Sequence, residues 1–215
     1  MIVYGILLLI TAAVAYAFGS LNTLVLASNF LFRYNLNRLG RGNDWLSNFR
    51  RIYGLKGALE LLLIEAVKDI IPLVIGGLLL GIKGHAEVGR AFAGFCLVMG
   101  RLWPAFYGLK GTNGIMPLIF TCIFADASLG IAVAVVFLGA LAAIRYMPVA
   151  AGIAALAAAV APLLIVENKV VIYLLAFSGA AVLVKHIRGI VRVAKGAEQK
   201  ISFREDLSYK FETKF

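Results

Sequence analysis

Apolar runs separated by short polar joints repeat from one end of the chain to the other. Runs over residues 2–26, 57–80, 87–103, 115–125, 129–144, 149–166 and 170–184 predict seven helical spans. Pro104 closes the third run, because a proline drives the residue before it out of the helical region. Asp126 and Gly130 interrupt the chain after the fourth. Several runs are short for a hydrocarbon core of about 30 Å, which predicts tilted spans or half-spans around a polar cavity. The 149–166 run is rich in alanine, which suits close helix packing. The fold class that follows is all-α: a polytopic membrane protein, a seven-span helical bundle with short or half-span helices. Residues 1–185 read as one transmembrane domain and 186–215 as a cytoplasmic basic tail. The first run carries no leading positive charge and no small-residue cleavage site, so it reads as a retained span.

The second run holds Glu60, Glu65, Lys68 and Asp69. Glu65 and Asp69 are four apart with Lys68 beside them, so these charges share one helix face. Charged groups at such depth face protein or water, or sit near the end of a tilted helix.

Composition supports the membrane reading. Hydrophobic residues make up 62% of the chain and charged residues 15%, outside the usual range of a soluble globular domain. The net charge of +10 has no soluble domain to carry it, so the partners read are membrane lipids and no nucleic acid. The positive charge is asymmetric. Arg33, Arg38, Arg41, Arg50, Arg51 and Lys56 follow the first run, and Arg101, Lys110 and Arg145 lie in later joints on the same side. Lys185, Arg188, Arg192, Lys195 and Lys200 join the tail, whereas the opposite joints hold little positive charge. The positive-inside rule then puts the N terminus outside and the C terminus in the cytoplasm. Cys96 and Cys122 read as buried thiols, and no His, Cys and carboxylate cluster has metal-ligand spacing.

Two joints carry candidate chemistry. In LGRGNDWLSNFRRIYGLK (39–56), Gly42 and Asn43 beside Arg41 can present backbone N–H groups to an anion. Ser47 and Asn48 can donate hydrogen bonds, Arg50 and Arg51 offer planar forks for phosphate, and Lys56 follows. In GRLWPAFYGLKGTNG (100–114), Lys110, Gly111, Thr112, Asn113 and Gly114 lead into a helix start, a favourable place for phosphate. A solvated positive-inside loop and a tight turn account for the same residues without a ligand. Trp103, Phe106 and Tyr107 read as interfacial aromatics. Ser20, inside the first run, reads as a packing residue unless a polar cavity reaches it. His186 beside Lys185, Arg188 and Arg192 either is structural or closes a cationic pocket.

These residues, in this order, resemble the bacterial acyl-phosphate-dependent glycerol-3-phosphate acyltransferases, the PlsY family. Gly19-Ser20 resembles that family's glycine-serine pair. Gly40-Arg41-Gly42-Asn43, Ser47-Asn48 and Arg51 resemble its first signature, and Glu65 and Lys68 stand where it places Asp and Lys. Gly100, Pro104, Phe106, Lys110-Gly111 and Gly114 resemble its second signature, Arg145-Tyr146 the start of its third. His186, Arg192, Gly196 and Glu198 resemble its C-terminal one. The chain departs from the pattern at Asn35, Asn37, Arg41, Trp45, Arg101 (a histidine in the family), Thr112-Asn113, Pro148 and Ala151.

The resemblance implies acyl transfer from acyl phosphate to the 1-hydroxyl of glycerol 3-phosphate or a related anionic acceptor, the entry to phospholipid synthesis, with no cofactor and no metal. An acyl phosphate is already activated, so the site needs to position a hydroxyl and stabilise oxygen charge rather than build a catalytic triad. On this resemblance the catalytic residues are Asn43, Arg51, Lys110 and His186. The substrate-binding residues are Ser20, Arg41, Gly42, Ser47, Asn48, Lys56, Arg101, Gly111, Thr112, Asn113 and Gly114. The alternative is a catalytically silent homologue that binds a lipid phosphate or scaffolds a membrane-protein partner.

Overall fold

The structure is a computed structural model that describes residues 2–23, 45–109, 111–198 and 200–201, with the backbone alone at 45–55, 58 and 107. The described residues form seven main helices. They are α1 (Ile2–Ser20), α2 (Trp45–Gly81), α3 (Ala86–Leu102), α4 (Ile115–Ala125), α5 (Ala127–Ile144), α6 (Met147–Val160) and α7 (Lys169–Ala194). A single turn, Pro162–Ile165, extends α6. α1, α5, extended α6 and α7 are each long and apolar enough to cross a membrane, and α4 is a shorter apolar helix.

α3 is the centre of the bundle because its two faces serve two cores. Ala91, Val98 and Leu102, spaced to fall on one face, join the core formed by α4, α5, α6 and α7. Ala93, Cys96 and Leu97 face the other way, against Ala15 of α1 and Leu73 of α2. Small residues permit these approaches. A Cβ on Gly19 would strike the backbone of Leu97, and one on Gly100 the backbone of Tyr16, so α1 and α3 touch main chain to main chain. On α6, Ala150, Ala151, Ala154, Ala155 and Ala158 are fully buried, and a Cβ on Gly179 of α7 would lie 2.6 Å from the Ala155 carbonyl oxygen.

The outward faces are apolar. Ile2, Leu9, Ile131, Val135, Leu138, Leu164 and Phe177 are exposed, a surface that only hydrocarbon solvates well. The protein is therefore a multi-pass membrane protein.

α1 stops at Ser20, short of the end predicted for the first run at residue 26, and two elements exceed their predicted runs by about ten residues or more. α2 begins at Trp45, so residues 45–56, expected as a joint, are helical, and the helix passes through Pro72. α7 runs on through Ala194, past Lys185, His186, Arg188 and Arg192. Arg192 pairs with Glu198 (2.8 Å), and Ile201 donates its N–H to the Arg145 carbonyl (2.8 Å), returning the chain to the α5–α6 turn.

Helix lengths define a polar layer. At 1.5 Å per residue, Ser20 lies about 27 Å from Ile2, Glu65 about 24 Å from Gly81, Arg101 about 22 Å from Ala86, and Lys185 about 24 Å from Lys169. These residues therefore sit at one depth, near one edge of a hydrocarbon core of about 30 Å.

Candidate functional site

The site is built around the C-terminal end of α3. A helix end leaves its last carbonyls without intrahelical partners. Four consecutive carbonyls here take donors from three other parts of the chain. The Ser20 hydroxyl donates to Gly100 O (3.4 Å) and the Tyr16 hydroxyl to Trp103 O (2.7 Å), both from α1. The Thr112 N–H donates to Arg101 O (3.2 Å), and Lys185 Nζ, from α7, to Leu102 O (2.8 Å). Lys185 also stands 5.8 Å from the centre of the Trp103 ring, within cation–π range.

Lys185 thus acts as a cationic helix cap, a role its sequence neighbourhood does not reveal. Lys185→Met should cost about 1 kcal/mol of stability by leaving the Leu102 carbonyl unpaired. Lys185→Arg should retain most of it. Thermal unfolding in detergent micelles checks both.

Beneath this hub lies a buried charge network. Glu65, Lys68, Asp69 and Arg101 are 1%, 7%, 0% and 5% exposed, so their charges must be compensated inside the protein. Arg101 Nη2 pairs with Glu65 Oε1. Lys68 Nζ lies 3.2 Å from Asp69 Oδ1 and 3.7 Å from Glu65 Oε1. Both cations also donate to the carbonyl of Leu21, just beyond the end of α1: Arg101 Nη1 at 3.3 Å and Lys68 at 3.4 Å. That is the electronegative end of α1, where positive charge is favoured. The shared face predicted for Glu65, Lys68 and Asp69 turns into the protein, as the cost of charge in lipid requires.

Between α1, α3 and the 111–114 segment is a crevice of about 10 Å³, lined by Gly19, Ser20, Arg101, Pro104, Gly111 and Thr112 among others. Such a volume admits roughly one water-sized atom. Two buried polar atoms of its lining residues, Arg101 Nε and Thr112 Oγ1, have no hydrogen-bond partner among the described residues. Gly111 is required by contact: a Cβ there would strike the carbonyls of Arg101 and Leu102. Gly114 is required by conformation: its φ of 67° precedes α4.

Of the residues predicted for the site, the structure brings Ser20, Arg101, Gly111 and Thr112 to one crevice, with Asn113 and Gly114 following in the chain. His186 is buried (6% exposed), and its Nδ1 lies 2.8 Å from the Val182 carbonyl. A carbonyl only accepts, so Nδ1 donates, and a neutral ring then keeps its lone pair on Nε2. Lys56 is exposed on α2. Ser47, Asn48 and Arg51 have backbone in the first turns of α2. Arg51 lies about 21 Å nearer the N-terminal end of that helix than Glu65, at 1.5 Å per residue. Arg41, Gly42, Asn43 and Lys110 lie outside the described residues. Glu65, Lys68, Asp69 and Lys185 were absent from the predicted set. For the first three, the i, i+3, i+4 spacing inside an apolar run was the available signal.

The opposite end carries a groove of about 430 Å³ lined in part by Glu87, Asp126, Glu167 and Asn168. Its Asp126 is occupied structurally. The carboxylate accepts from the Ser128 hydroxyl (2.5 Å) and the Leu129 N–H (3.0 Å), capping α5. These bonds, the Ser128 hydroxyl first, hold its carboxyl below the usual carboxylate range.

The sequence profile of glycerol-3-phosphate acyltransferase matches residues 9–196. A glycerol-3-phosphate acyltransferase from Coxiella burnetii is 27% identical over 195 residues, covering 90% of this chain and 97% of that protein. Another from Neisseria gonorrhoeae is 26% identical over 189 residues, covering 88% and 94%. Among solved structures, the crystal structure of PlsY (YgiH), an integral membrane glycerol 3-phosphate acyltransferase, in its glycerol 3-phosphate form superposes with a TM-score of 0.76. It is 23% identical, with 91% of this chain and 96% of that chain covered, and shares the fold. A profile that spans most of the chain, from inside α1 to just past the end of α7, shows that the chain belongs to the glycerol-3-phosphate acyltransferase (PlsY) family.

Proposed function

We propose that this protein transfers a fatty acyl group from an acyl phosphate to the 1-hydroxyl of glycerol 3-phosphate. Family membership supports the reaction class. The observation that carries it to this chain is the polar layer at the end of α3. There Ser20, Arg101, Gly111 and Thr112 meet within a bundle whose outward faces are apolar. The hydroxyl oxygen attacks the acyl carbon, the acyl–phosphate C–O bond breaks, and inorganic phosphate leaves. The hydroxyl proton passes to a phosphate oxygen. The chain's task is positioning and charge stabilisation.

In this reading Gly42, Asn43, Ser47, Asn48 and Arg51 hold one phosphate, with Arg41 beside them. Lys110, Gly111, Thr112, Asn113 and the Gly114 helix start hold the other, with Ser20 and Arg101 at the crevice. Lys56 offsets acceptor charge, and no metal or cofactor takes part. The layer faces the cytoplasm of a bacterial plasma membrane, with the N terminus outside, a reading supported by the excess of Lys and Arg in the joints at that end.

The donor class is tested by offering purified protein glycerol 3-phosphate with either palmitoyl phosphate or palmitoyl thioester. Lysophosphatidic acid from the acyl phosphate alone is expected. Product from the thioester alone would overturn the donor assignment.

A further inference from the structure

Arg101 has five N–H donors, and the structure commits most of its reach elsewhere. Nη2 is paired with Glu65, and Nη1 donates to the Leu21 carbonyl at 3.3 Å. Nε is buried without a partner among the described residues. Arg101 is only 5% exposed, yet it lines the crevice with Ser20, Gly111 and Thr112. A guanidinium is planar, so fixing both terminal nitrogens fixes the direction of the Nε–H bond. The crevice, about 10 Å³, is too small for a whole phosphate and large enough for roughly one oxygen atom.

We propose that Glu65 is a positioning residue for the anion site, which by holding the Arg101 guanidinium makes its Nε–H a single fixed donor for one phosphate oxygen seated beside Thr112. The proposal rests on the proposed function, in which a phosphate meets this crevice. Arg101 then serves as a one-pronged donor rather than the two-pronged clamp usual for arginine on phosphate. Thr112 supplies the second group: its buried hydroxyl, also without a partner among the described residues, can donate to the same oxygen. Glu65 itself touches no substrate. Its carboxylate is 1% exposed and is balanced by Arg101 and Lys68.

The test is a calorimetric titration with inorganic phosphate. It uses the full chain in detergent and compares wild type, Glu65→Gln, Arg101→Gln and the double variant. Each single change is expected to weaken phosphate binding about tenfold, the scale of one charge-assisted hydrogen bond. The double variant should bind no more weakly than Arg101→Gln, because Glu65 acts through Arg101. Unchanged affinity in Glu65→Gln overturns the proposal. So does a double variant whose loss is the product of the two single losses. Should Glu65→Gln not fold, Glu65→Asp keeps the charge and withdraws it by one methylene. Weaker phosphate binding is expected there, and wild-type affinity would overturn the proposal. The titration needs no turnover, so a chain that binds phosphate in this pattern but transfers no acyl group overturns the proposed reaction alone. Absence of phosphate binding in wild type overturns the positioning role of Glu65.

Discussion

Gly111→Ala is expected to lower kcat/KM for acyl transfer about 100-fold or more while leaving the bundle folded, the scale associated with displacing reacting groups by about 1 Å. The cause is contact rather than chemistry. A Cβ at Gly111 would strike the carbonyls of Arg101 and Leu102, and both belong to the backbone at the end of α3. Backbone in a helix end gives way far less than a side-chain tip, so the 111–114 segment must rise. The Thr112 N–H then leaves Arg101 O, and the Thr112 hydroxyl leaves the crevice it lines. Gly139→Ala is the matched control. That glycine sits in α5 with nothing within 4 Å of an added Cβ, and alanine is the better helix former. Steady-state kinetics on both variants, alongside thermal unfolding, separates loss of the site from loss of the fold.

The largest effect on stability is expected from Arg101→Leu. Two cations and two carboxylates form the buried network, and the carboxylates of Glu65 and Asp69 have no neutral hydrogen-bond donor among the described residues. Their compensation is the pair of cations, Arg101 and Lys68. Removing Arg101 leaves a net negative charge in the interior, a change that typically costs about 3–5 kcal/mol. Replacing Glu65 as well removes the uncompensated charge, so the double Glu65→Leu/Arg101→Leu variant should recover most of the loss. Denaturant unfolding in micelles reads both. A double variant less stable than Arg101→Leu alone would mean that the network stabilises through something other than charge balance.

Much of this architecture is legible in the sequence, for reasons that also explain what is not. α4 starts and stops where the residues say it should, because Gly114 and Asp126 punctuate an uninterrupted apolar run. α3 ends one residue earlier than expected, at Leu102, with Pro104 near by. The errors of length fall where hydropathy and helicity part company. The apolar run stops at residue 184, yet α7 continues to Ala194. Lys185 and His186 mark where the chain meets polar surroundings, not where its backbone hydrogen bonds end. The same holds at Trp45–Lys56, where arginine, asparagine and serine read as a joint but the backbone is helical.

The site divides in the same way. Gly111 and Gly114 were identifiable from the turn chemistry of their segment. The shared face of Glu65, Lys68 and Asp69 followed from helical spacing. The partnership of Glu65 with Arg101 did not, since it joins two helices whose relative placement depends on the whole bundle. Lys185 as the cap of α3 is of the same kind. It joins residues 83 apart in the chain.

The central claim is tested most directly by mixing purified full-length protein with labelled palmitoyl phosphate and glycerol 3-phosphate and following both products by mass spectrometry. Lysophosphatidic acid and inorganic phosphate in equal amounts, both abolished in Arg51→Ala, are the expected result. Binding or breakdown of acyl phosphate with no lysophosphatidic acid, or no turnover at all, would contradict it.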